Sequence, residues 1–588
     1  MKRNLVPAKY KWDLSAYAKD EDDFLKRTKA LQKYAELFKS FEGKLADDKM
    51  LLKLLNLTSE YSKEVSLLGN YAQRKLDENL ADSKASENVN LLSKICSDNS
   101  VASSFITPEI SQFSDDKLQS LMQNRKFKAH RLYFRDILRD RPHILPKNEE
   151  KLLSGMGEFL GGFSENHDNF SDADLKFKDV LDGSGKAHKF TQDKYSLYMH
   201  SKDRVLRANA FAEQNGAYGR FINFLSSNYL SDVKADCYFS KIHNYSSALE
   251  AAVLSEEASI DVYNNLIACV HKNLPTLYAY FDAKRSLLGY KDFYIYDQFA
   301  SVSKVKEQKY SYDDAIKLIK KAVAPLGKEY VALIDKAKKE KWIDLMPNDG
   351  KAGGAYSASA YGANPVVLTN FTGDYNSVST LAHELGHAMH SYFSETHQIF
   401  EESGYVIFVA EVASTVNEML LRLMMLKNTS TQNEKRSIID GIFTDVKSTI
   451  FRQTMFAEFE EWVHAEYEKG NPLSKDKLCE KYYDLNKLYF GKRVKLTKET
   501  QYEWARIPHF YRSFYVYKYA TGLISALNIV SRILNGEEGA AQKYLNFLKS
   551  GCTSDPITLL KNAGCDLEKQ STFDEVFDFL RTLLVDFK

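Results

Sequence analysis

The chain has 588 residues, a formal net charge of +1, and only 27 glycines and 11 prolines. This length allows more than one domain. The scarcity of glycine and proline disfavours a loop-rich β protein and favours long helices. Because the charges nearly cancel, no overall field draws the chain to nucleic acid or anionic lipid, and we expect neither as a partner.

The six cysteines are scattered, and no two of them have the Cys-x-x-Cys spacing. We therefore predict reduced thiols rather than a cysteine metal cluster. The segment from Met1 to Tyr10 lacks the apolar stretch of a signal peptide. No run approaches the roughly 18 apolar residues that predict a membrane span. A cytoplasmic location is the default expectation.

Helical patterns with charged faces occupy most of residues 14–160. Turn residues concentrate in residues 161–190, where Asp182-Gly-Ser-Gly185 is predicted to close a short hairpin. We place the domain boundary just after this region. The prediction is an N-terminal helical domain over 1–200 and a second domain over 201–588.

Residues 340–376 form the β-like region of the second half. Trp342-Ile-Asp-Leu345 and Pro365-Val-Val-Leu-Thr-Asn-Phe371 are short strand candidates bounded by glycine, proline and asparagine. An exposed strand edge at the second candidate would hold an extended peptide by backbone hydrogen bonds. An ordinary sheet strand is an equally good interpretation of so short an apolar run.

The most informative motif follows this strand as His383-Glu384-Leu385-Gly386-His387. On a helix, positions 383 and 387 lie one turn apart on the same face, so two imidazoles can bind one metal ion. Glu384 lies beside them, placed to take a proton from water rather than to bind the metal. The alternative is two surface histidines on an amphipathic helix. We interpret the nearby His390 as a structural or supporting histidine.

The context favours the metal site. Asp374 or Asn376 can cap the helix, and Gly386 costs about 1 kcal/mol relative to alanine inside a helix, which suggests that another backbone passes closely there. An apolar stripe at helical spacing comprises Val378, Leu381, Leu385, Ala388 and Met389.

The next helical pattern runs from about Tyr405 to Leu426, and its almost wholly apolar first half contains Glu411. A carboxylate in such a stretch must be paired, neutral or metal-bound, so Glu411 is the candidate third ligand. The alternative is a glutamate on the polar edge of a buried helix. Glu418, two turns later, is either an acceptor for a ligand histidine N–H or a solvated residue.

Histidine and tyrosine are concentrated in the segment from Pro508 to Gly522. Tyr511, Tyr515 and Tyr519 are four residues apart and would share a helix face, whereas Tyr517 would not. Spacing alone favours an aromatic stripe that packs into a core, and hydroxyl donors aimed at a developing oxyanion are the alternative. We expect His397 and His464 to lie at the surface.

These motifs together resemble the oligoendopeptidase F group, in the thimet-oligopeptidase-like superfamily of zinc peptidases. The resemblance covers nearly the whole chain in order. It is carried by His383–His387 and Phe408-Val-Ala-Glu-Val-Ala-Ser-Thr415, and further by Tyr10-Lys-Trp-Asp-Leu14, Phe105-Ile-Thr-Pro-Glu-Ile110, Gly350-Lys-Ala-Gly-Gly-Ala-Tyr356, Pro365–Phe371 and Pro508–Gly522.

The resemblance implies a mainly α, elongated, two-part protein with a deep substrate channel and a small β-sheet beside the zinc helix. It makes residues 201–588 the catalytic metallopeptidase domain, with one zinc ion per chain. Oligopeptides would be the substrates, and the protein would be a monomer or a small homo-oligomer.

The resemblance also assigns roles to residues. His383, His387 and Glu411 become zinc ligands, Glu384 the general base, and His509 a stabiliser of the tetrahedral intermediate. Tyr515 and Tyr519 are our choice among the tyrosines as its partners. The glycine-rich loop and the strand implied to lie at the sheet edge would bind substrate through Gly353, Gly354, Tyr356, Val367 and Thr369.

The resulting expectation is a zinc endopeptidase that hydrolyses internal bonds of short unfolded peptides. A carboxypeptidase or dipeptidase is an alternative, in which Lys351 or Arg512 would anchor the substrate carboxylate. A non-catalytic peptide-binding protein that retained the fold is the other alternative, and the intact Glu384 argues against it. Manganese or cobalt could replace zinc on these ligands.

Overall fold

The computed structural model describes residues 1–302 and 308–588, and most of them are helical, which confirms the mainly α prediction. The chain divides into two compact units, each built from three separate segments. Unit 1 comprises Met1–Pro142, Glu307–Met424 and Arg532–Gly564, and unit 2 comprises His143–Lys306, Met425–Ser531 and Cys565–Lys588. The contiguous domains 1–200 and 201–588 remain a prediction.

In chain order, the helices of the first half are α1 (Glu21–Ala30), α2 (Lys33–Lys39), α3 (Asp48–Glu78), α4 (Ser83–Ser103), α5 (Ile106–Ile110), α6 (Asp115–Gln123), α7 (Arg131–Asp140), α8 (Lys147–Ser154), α9 (Gly157–Asn169), α10 (Gln192–Met199), α11 (Arg204–Gly219), α12 (Ile222–Ile242), α13 (Ala248–Leu254) and α14 (Ile260–Leu287). Those of the second half are α15 (Tyr312–Ala322), α16 (Lys328–Lys339), α17 (Tyr375–His397), α18 (Ile407–Asn428), α19 (Gln432–Asp445), α20 (Arg452–Glu468), α21 (Lys475–Phe490), α22 (Tyr517–Leu534), α23 (Ala540–Leu548), α24 (Pro556–Asn562) and α25 (Gln570–Phe587).

The strands of the described residues are short and form three small sheets. They are β1 (Val180–Leu181), β2 (Ala187–His188), β3 (Phe293–Tyr294), β4 (Ile343–Asp344), β5 (Tyr356–Ala358), β6 (Val366–Leu368) and β7 (Val494–Lys495). Strands β1 and β2 pair antiparallel on either side of the turn at residues 182–185, which confirms the predicted hairpin. Strands β3 and β7 pair in parallel.

The sheet of unit 1 has the order β4-β6-β5, with β6 parallel to β4 and antiparallel to β5. The prediction that Pro365–Phe371 is the edge strand is therefore wrong. Val367 pairs with Ile343 on one side and Ser357 on the other, so the edge strands of this sheet are β4 and β5. All three residues of β6 are buried, as a central strand requires.

The N-terminal segment of the chain extends this sheet region. The Leu345 N–H donates to the Tyr10 carbonyl (2.9 Å), and the Asp13 N–H donates to the Lys341 carbonyl (2.8 Å). The Trp12 indole N–H donates to the Glu78 carboxylate (2.8 Å), which ties the same segment to α3. The Tyr-x-Trp-Asp-Leu motif thus has a structural role, because it closes the core around β6.

Within residues 1–302 and 308–588, no helix is both long enough and apolar enough to cross a membrane. No disulfide bond joins any cysteines in that part of the chain, which agrees with the prediction of reduced thiols.

Candidate metal centre

The helix α17 carries both histidines of the motif and begins at a strong cap. The Asp374 carboxylate accepts the Ser377 N–H (2.8 Å), so Asp374 rather than Asn376 is the cap. The predicted apolar stripe is fully buried in the core of unit 1. Strands β5 and β6 and the helix α23 pack against α17, which places the small sheet beside the histidines.

Gly386 is where α18 crosses α17. A Cβ atom built on Gly386 would lie 2.6 Å from the Ala413 carbonyl oxygen and 2.6 Å from the Ser414 Cα. The close backbone passage inferred from the sequence is therefore present. The Asn417 side chain reinforces the crossing, because its amide donates to the Ala382 carbonyl (3.0 Å) and its oxygen accepts the Tyr330 hydroxyl (2.8 Å).

This crossing brings three potential ligand atoms together. The Nε2 atoms of His383 and His387 are 3.2 Å apart, and each lies 3.5 Å from Glu411 Oε2. Zinc bonds of about 2.0–2.2 Å in a tetrahedron separate ligand atoms by about 3.3–3.6 Å. The three atoms thus fit one face of a tetrahedral site for a single ion.

Two neighbours orient the ligand side chains. The Ser414 hydroxyl donates to Glu411 Oε2 (2.9 Å), and Glu418 Oε2 lies 3.7 Å from His383 Nδ1, on the side away from Glu411. Burial alone would raise the pKa of Glu411, but its contacts with the two histidines lower that pKa to about 2. The carboxylate therefore keeps the anionic form that a cation needs.

His390, interpreted from sequence as structural or supporting, is 1 % exposed. Its ring stacks on Tyr405 with centroids 3.8 Å apart and lies 5.3 Å from the Phe547 ring of α23. Burial lowers the pKa of His390 to about 3, so the ring packs as a neutral group. The structure therefore favours the structural role.

Glu384 lines an open cleft of about 540 Å³ in unit 1, together with His383 and Glu418. Only 6 % of Glu384 is exposed, and burial raises its pKa above that of a solvated glutamate. A carboxylate with a raised pKa is a better proton acceptor near neutral pH. Gly354 and Thr369, which the family resemblance implies bind substrate, also line this cleft, and their contact with substrate remains a prediction.

The glycine-rich loop is held in place by the Asn370 side chain and by the backbone of Asp77. The Asn370 amide donates to the carbonyls of Ala352 and Gly354 (3.0 Å each), and the Ala352 N–H donates to the Asp77 carbonyl (2.9 Å). A Cβ at Gly353 would meet no heavy atom within 4 Å of it among the residues that the structure describes. The loop backbone is thus fixed while one face of it stays open.

Lys351 cannot anchor a substrate carboxylate. Its side chain is 1 % exposed and its ammonium pairs with Asp344 Oδ1 (2.7 Å). The same ammonium donates to the carbonyls of Met346 (2.8 Å) and Thr369 (2.7 Å). Of the two proposed anchors for a substrate carboxylate, Arg512 therefore remains for the carboxypeptidase or dipeptidase alternative. Arg512 is exposed, and its guanidinium carbon lies 4.1 Å from the centroid of the Tyr515 ring.

The other substrate-binding predictions have mixed outcomes. The Tyr356 hydroxyl donates to the Asp77 carboxylate, so this residue offers its edge-strand backbone rather than its hydroxyl. The backbone N–H groups of Val367 and Thr369 donate to the carbonyls of Trp342 (2.8 Å) and Asp344 (2.9 Å). These two residues therefore cannot act as an edge, although Thr369 still borders the cleft.

The edge strand is tied to α17 through Glu395, whose Oε1 accepts the Ser359 hydroxyl (2.6 Å). Burial raises the pKa of Glu395 from 4.5 to about 7, although the Ser359 hydrogen bond acts in the opposite direction. Between those values the folded chain binds more protons than the unfolded one, so this group contributes less stability as pH rises from about 4.5 to about 7.

We expect Glu395→Gln to be more stable than the wild type at pH 8, by at most about 3 kcal/mol, and nearly equal to it at pH 4.5. The measurement is the thermal unfolding midpoint of both proteins across this range. Glu36→Gln, at an 84 % exposed side chain of unit 1, is the control and should follow the wild type. A Glu395→Gln protein whose midpoint follows the wild type at every pH would contradict this assignment.

Unit 2 carries the histidine and tyrosine segment. Residues 508–511 form a 3-10 turn and α22 begins only at Tyr517, so the predicted shared helix face does not exist. The structure nevertheless groups His509 with Tyr515 and Tyr519, with ring centroids 6.4 and 6.0 Å from the His509 ring. The Tyr519 hydroxyl lies 3.5 Å from His509 Nε2.

The remaining two tyrosines are engaged elsewhere. The Tyr511 hydroxyl accepts the Asn228 amide (3.0 Å), and Tyr517 is 1 % exposed against Tyr263. Burial, followed by the charge of Arg512, lowers the pKa of His509, so its imidazole is neutral at neutral pH. A neutral imidazole keeps one N–H donor.

The turn before α22 is held by a buried acid. Phe514 has φ of +57°, a left-handed conformation that costs a side-chain-bearing residue about 1–3 kcal/mol. Its N–H donates to Glu460 Oε1 (3.1 Å), and Glu460 is fully buried, which raises its pKa well above the ordinary value. His464 packs on the Phe514 ring and is 2 % exposed, so its predicted surface position is wrong.

Comparison with known proteins identifies the family. Residues 197–579 match the model of peptidase family M3, and residues 109–177 match the model of oligopeptidase F. The chain therefore belongs to peptidase family M3. It is 33 % identical to the oligopeptidase PepF of Bacillus subtilis, covering 100 % of this chain and 89 % of the relative. It is 32 % identical to the group B oligopeptidase PepB of Streptococcus agalactiae, covering 99 % and 97 %.

Solved structures agree with this assignment. A Chlamydophila abortus protein assigned to the peptidases superposes with a TM-score of 0.95 at 32 % identity, over 100 % of this chain and 99 % of that one. Oligoendopeptidase-F from Enterococcus faecium superposes with a TM-score of 0.73 at 28 % identity, over 96 % and 98 %. The chain is thus a peptidase of a metal-dependent family, and its His-His-Glu cluster suits that chemistry.

Proposed function

We propose that this protein is a zinc endopeptidase that hydrolyses internal bonds of short, unfolded oligopeptides. The observation that carries the proposal is the triangle of donor atoms from His383, His387 and Glu411, whose sides match a zinc tetrahedron, with Glu384 beside it in an open cleft. A zinc ion held by these three residues would activate a water molecule and polarise the scissile carbonyl.

The proton transfer and the stabilisation of the oxyanion are assigned to protein side chains. Glu384 accepts a proton from the attacking water and returns it to the leaving amine, which its buried position and raised pKa favour. The family resemblance adds His509, with Tyr519 or Tyr515, as donors to the oxyanion. Each such donor is worth roughly 3–4 kcal/mol of transition-state stabilisation.

Substrate is proposed to bind in extended form along β5. This strand pairs with β6 on one side only among the described residues, so its other side offers backbone donors and acceptors. Gly353 and Gly354, which precede β5, let the peptide backbone approach closely. Such a mode recognises the peptide backbone and so suits oligopeptides of varied sequence. The deep substrate channel that the family resemblance implies would exclude folded proteins by size.

The test is digestion of one nonapeptide with blocked amino and carboxyl termini by the zinc-loaded protein. We expect cleavage at an internal bond, identified by mass spectrometry, with a rate within about tenfold of that for the unblocked peptide, because backbone recognition does not need charged ends. Arg512→Gln is the matched variant. If blocked peptides stay whole and Arg512→Gln loses cleavage of free ones, the protein is a carboxypeptidase or dipeptidase.

A further inference from the structure

A second cavity lies in unit 2, and none of the residues that line it has been assigned a role above. Its volume is about 180 Å³, and its walls are largely apolar, formed in part by Leu277, Phe299, Phe451 and Phe490. At about 30 Å³ per water molecule, this space suits a small solute with a few waters and not a peptide.

The charged residues of this cavity are unbalanced. Among the described residues that line it, Lys447, Arg452 and Arg506 are cationic and Glu503 is the carboxylate. Glu503 Oε1 accepts from Arg452 (2.8 Å) and Arg506 (3.0 Å), and its Oε2 accepts the Tyr482 hydroxyl (2.8 Å). Because both carboxylate oxygens are occupied by these groups, Glu503 does not compensate the ammonium of Lys447.

Lys447 stands on a π-helical turn, residues Val446–Phe451, and is only 6 % exposed. Its ammonium lies 4.8 Å from the Phe299 ring centroid and hydrogen-bonds to nothing in the described parts of the chain. Single π-helical turns concentrate at functional sites in proteins. A buried ammonium without an acceptor is costly unless an anion joins it.

Two further donors of the cavity have no acceptor in the described parts of the chain. The Tyr195 hydroxyl has no hydrogen-bond partner within residues 1–302 and 308–588. The buried Arg506 Nε likewise has none there. Three donors of compatible chemistry therefore line a cavity with excess positive charge.

We propose that this cavity binds a small monovalent anion, such as acetate or chloride, which the ammonium of Lys447 holds with the Tyr195 hydroxyl and the Arg506 guanidinium. The anion supplies the acceptor that these donors lack and offsets the excess positive charge. The apolar walls exclude bulky or multiply charged anions. This site is independent of the proposed peptidase reaction.

Proton uptake by Lys447 provides an independent measure of anion binding in this cavity. Burial, followed by the charges of Lys284 and Arg452, lowers the pKa of Lys447 to about 7, while the charges of Asp440 and Asp445 act in the opposite direction. Lys284 itself is paired with Asp440 at 2.9 Å. Binding of an anion favours the charged ammonium, so net proton uptake is expected when the anion binds near pH 7.

The test measures the thermal unfolding midpoint of the metal-loaded protein while acetate or chloride replaces gluconate at constant ionic strength. Gluconate is the bulky reference anion. The midpoint of the wild type should rise and saturate, by about 3 °C at a hundredfold excess over Kd. Lys447→Met should lose this rise. The control Lys498→Met changes an 87 % exposed lysine and should keep it.

Tyr195→Phe keeps the proposal testable if Lys447→Met does not fold, because it removes one hydroxyl and should weaken binding about 3–10-fold. Calorimetry of acetate binding in two buffers of different ionisation enthalpy measures the proton uptake. The proposal is overturned if no saturable rise occurs in the wild type, or if Lys447→Met and Tyr195→Phe both bind the anion as the wild type does.

Discussion

Replacement of Glu384 by glutamine is expected to lower kcat for peptide hydrolysis by about 10²–10⁴-fold, the usual contribution of a general acid–base group. Glutamine has nearly the same shape, so His383, His387 and Glu411 should keep their positions and their metal. The expected pattern is therefore loss of turnover with an unchanged metal content and an unfolding midpoint no lower than that of the wild type. Steady-state kinetics and elemental analysis of the same preparation measure both quantities.

Glu36→Gln, at the exposed position already used above, serves as the control and should retain wild-type turnover. Turnover of Glu384→Gln within about tenfold of the wild type, at equal metal content, would remove Glu384 from the proposed proton transfer.

A methyl group at Gly386 should cost both stability and metal binding. The added Cβ would lie 2.6 Å from two backbone atoms of α18, and backbone cannot move aside as the end of a side chain can. We expect Gly386→Ala to destabilise unit 1 by about 1–3 kcal/mol. Because α18 carries Glu411, we also expect metal affinity to fall by about 10–100-fold, as when supporting contacts of a metal site are lost.

Gly161→Ala is the matched control for this substitution. Gly161 is also helical, lies in α9, and a Cβ there would meet no described heavy atom within 4 Å. Alanine at that position should be neutral or stabilising because alanine is the better helix former. Competition with a chromogenic chelator measures metal affinity for both variants. Equal affinity in Gly386→Ala and wild type would show that the close crossing is not needed to place Glu411.

The metal centre was predictable because each of its elements leaves a trace in the sequence. Two histidines four residues apart must share a helix face, and a glutamate inside an apolar helix must find a partner. Gly386, a poor helix former between the histidines, marked the crossing. What the sequence could not supply was the angle of that crossing, on which the 3.5 Å separations from Glu411 depend.

The errors have physical causes as well. The run Val366-Val-Leu368 is continuously apolar, the pattern of a strand buried on both faces, and that signal pointed to a central rather than an edge position. The half-exposed Tyr356–Ala358 was the better edge candidate. Lys351 looked like a free cation in a glycine loop, but folding surrounds it with Asp344 and backbone carbonyls from distant residues.

Other features have no local signature. The left-handed backbone of Phe514 breaks the helix expected after Pro508, and a hydrogen bond to the buried Glu460, 54 residues earlier in the chain, holds it. Ser414 and Asn417, by contrast, could have been predicted from the sequence to form hydrogen bonds, because polar side chains in an apolar helix usually have a partner. Lys447 gave no signal, since a lysine in a helical pattern ordinarily points to solvent.

The interleaving of the two units has a consequence for biosynthesis. Unit 1 takes its third segment from residues 532–564, and that segment supplies α23, which packs against the helix of the two histidines. A nascent chain that has emerged only as far as α18 already contains every proposed ligand but lacks this support. At about 5–20 residues per second, the ribosome needs several more seconds to deliver it. We therefore expect peptidase activity to arise only late in translation, after α23 has been synthesised, and a chain terminated before α23 to be a poor hydrolase.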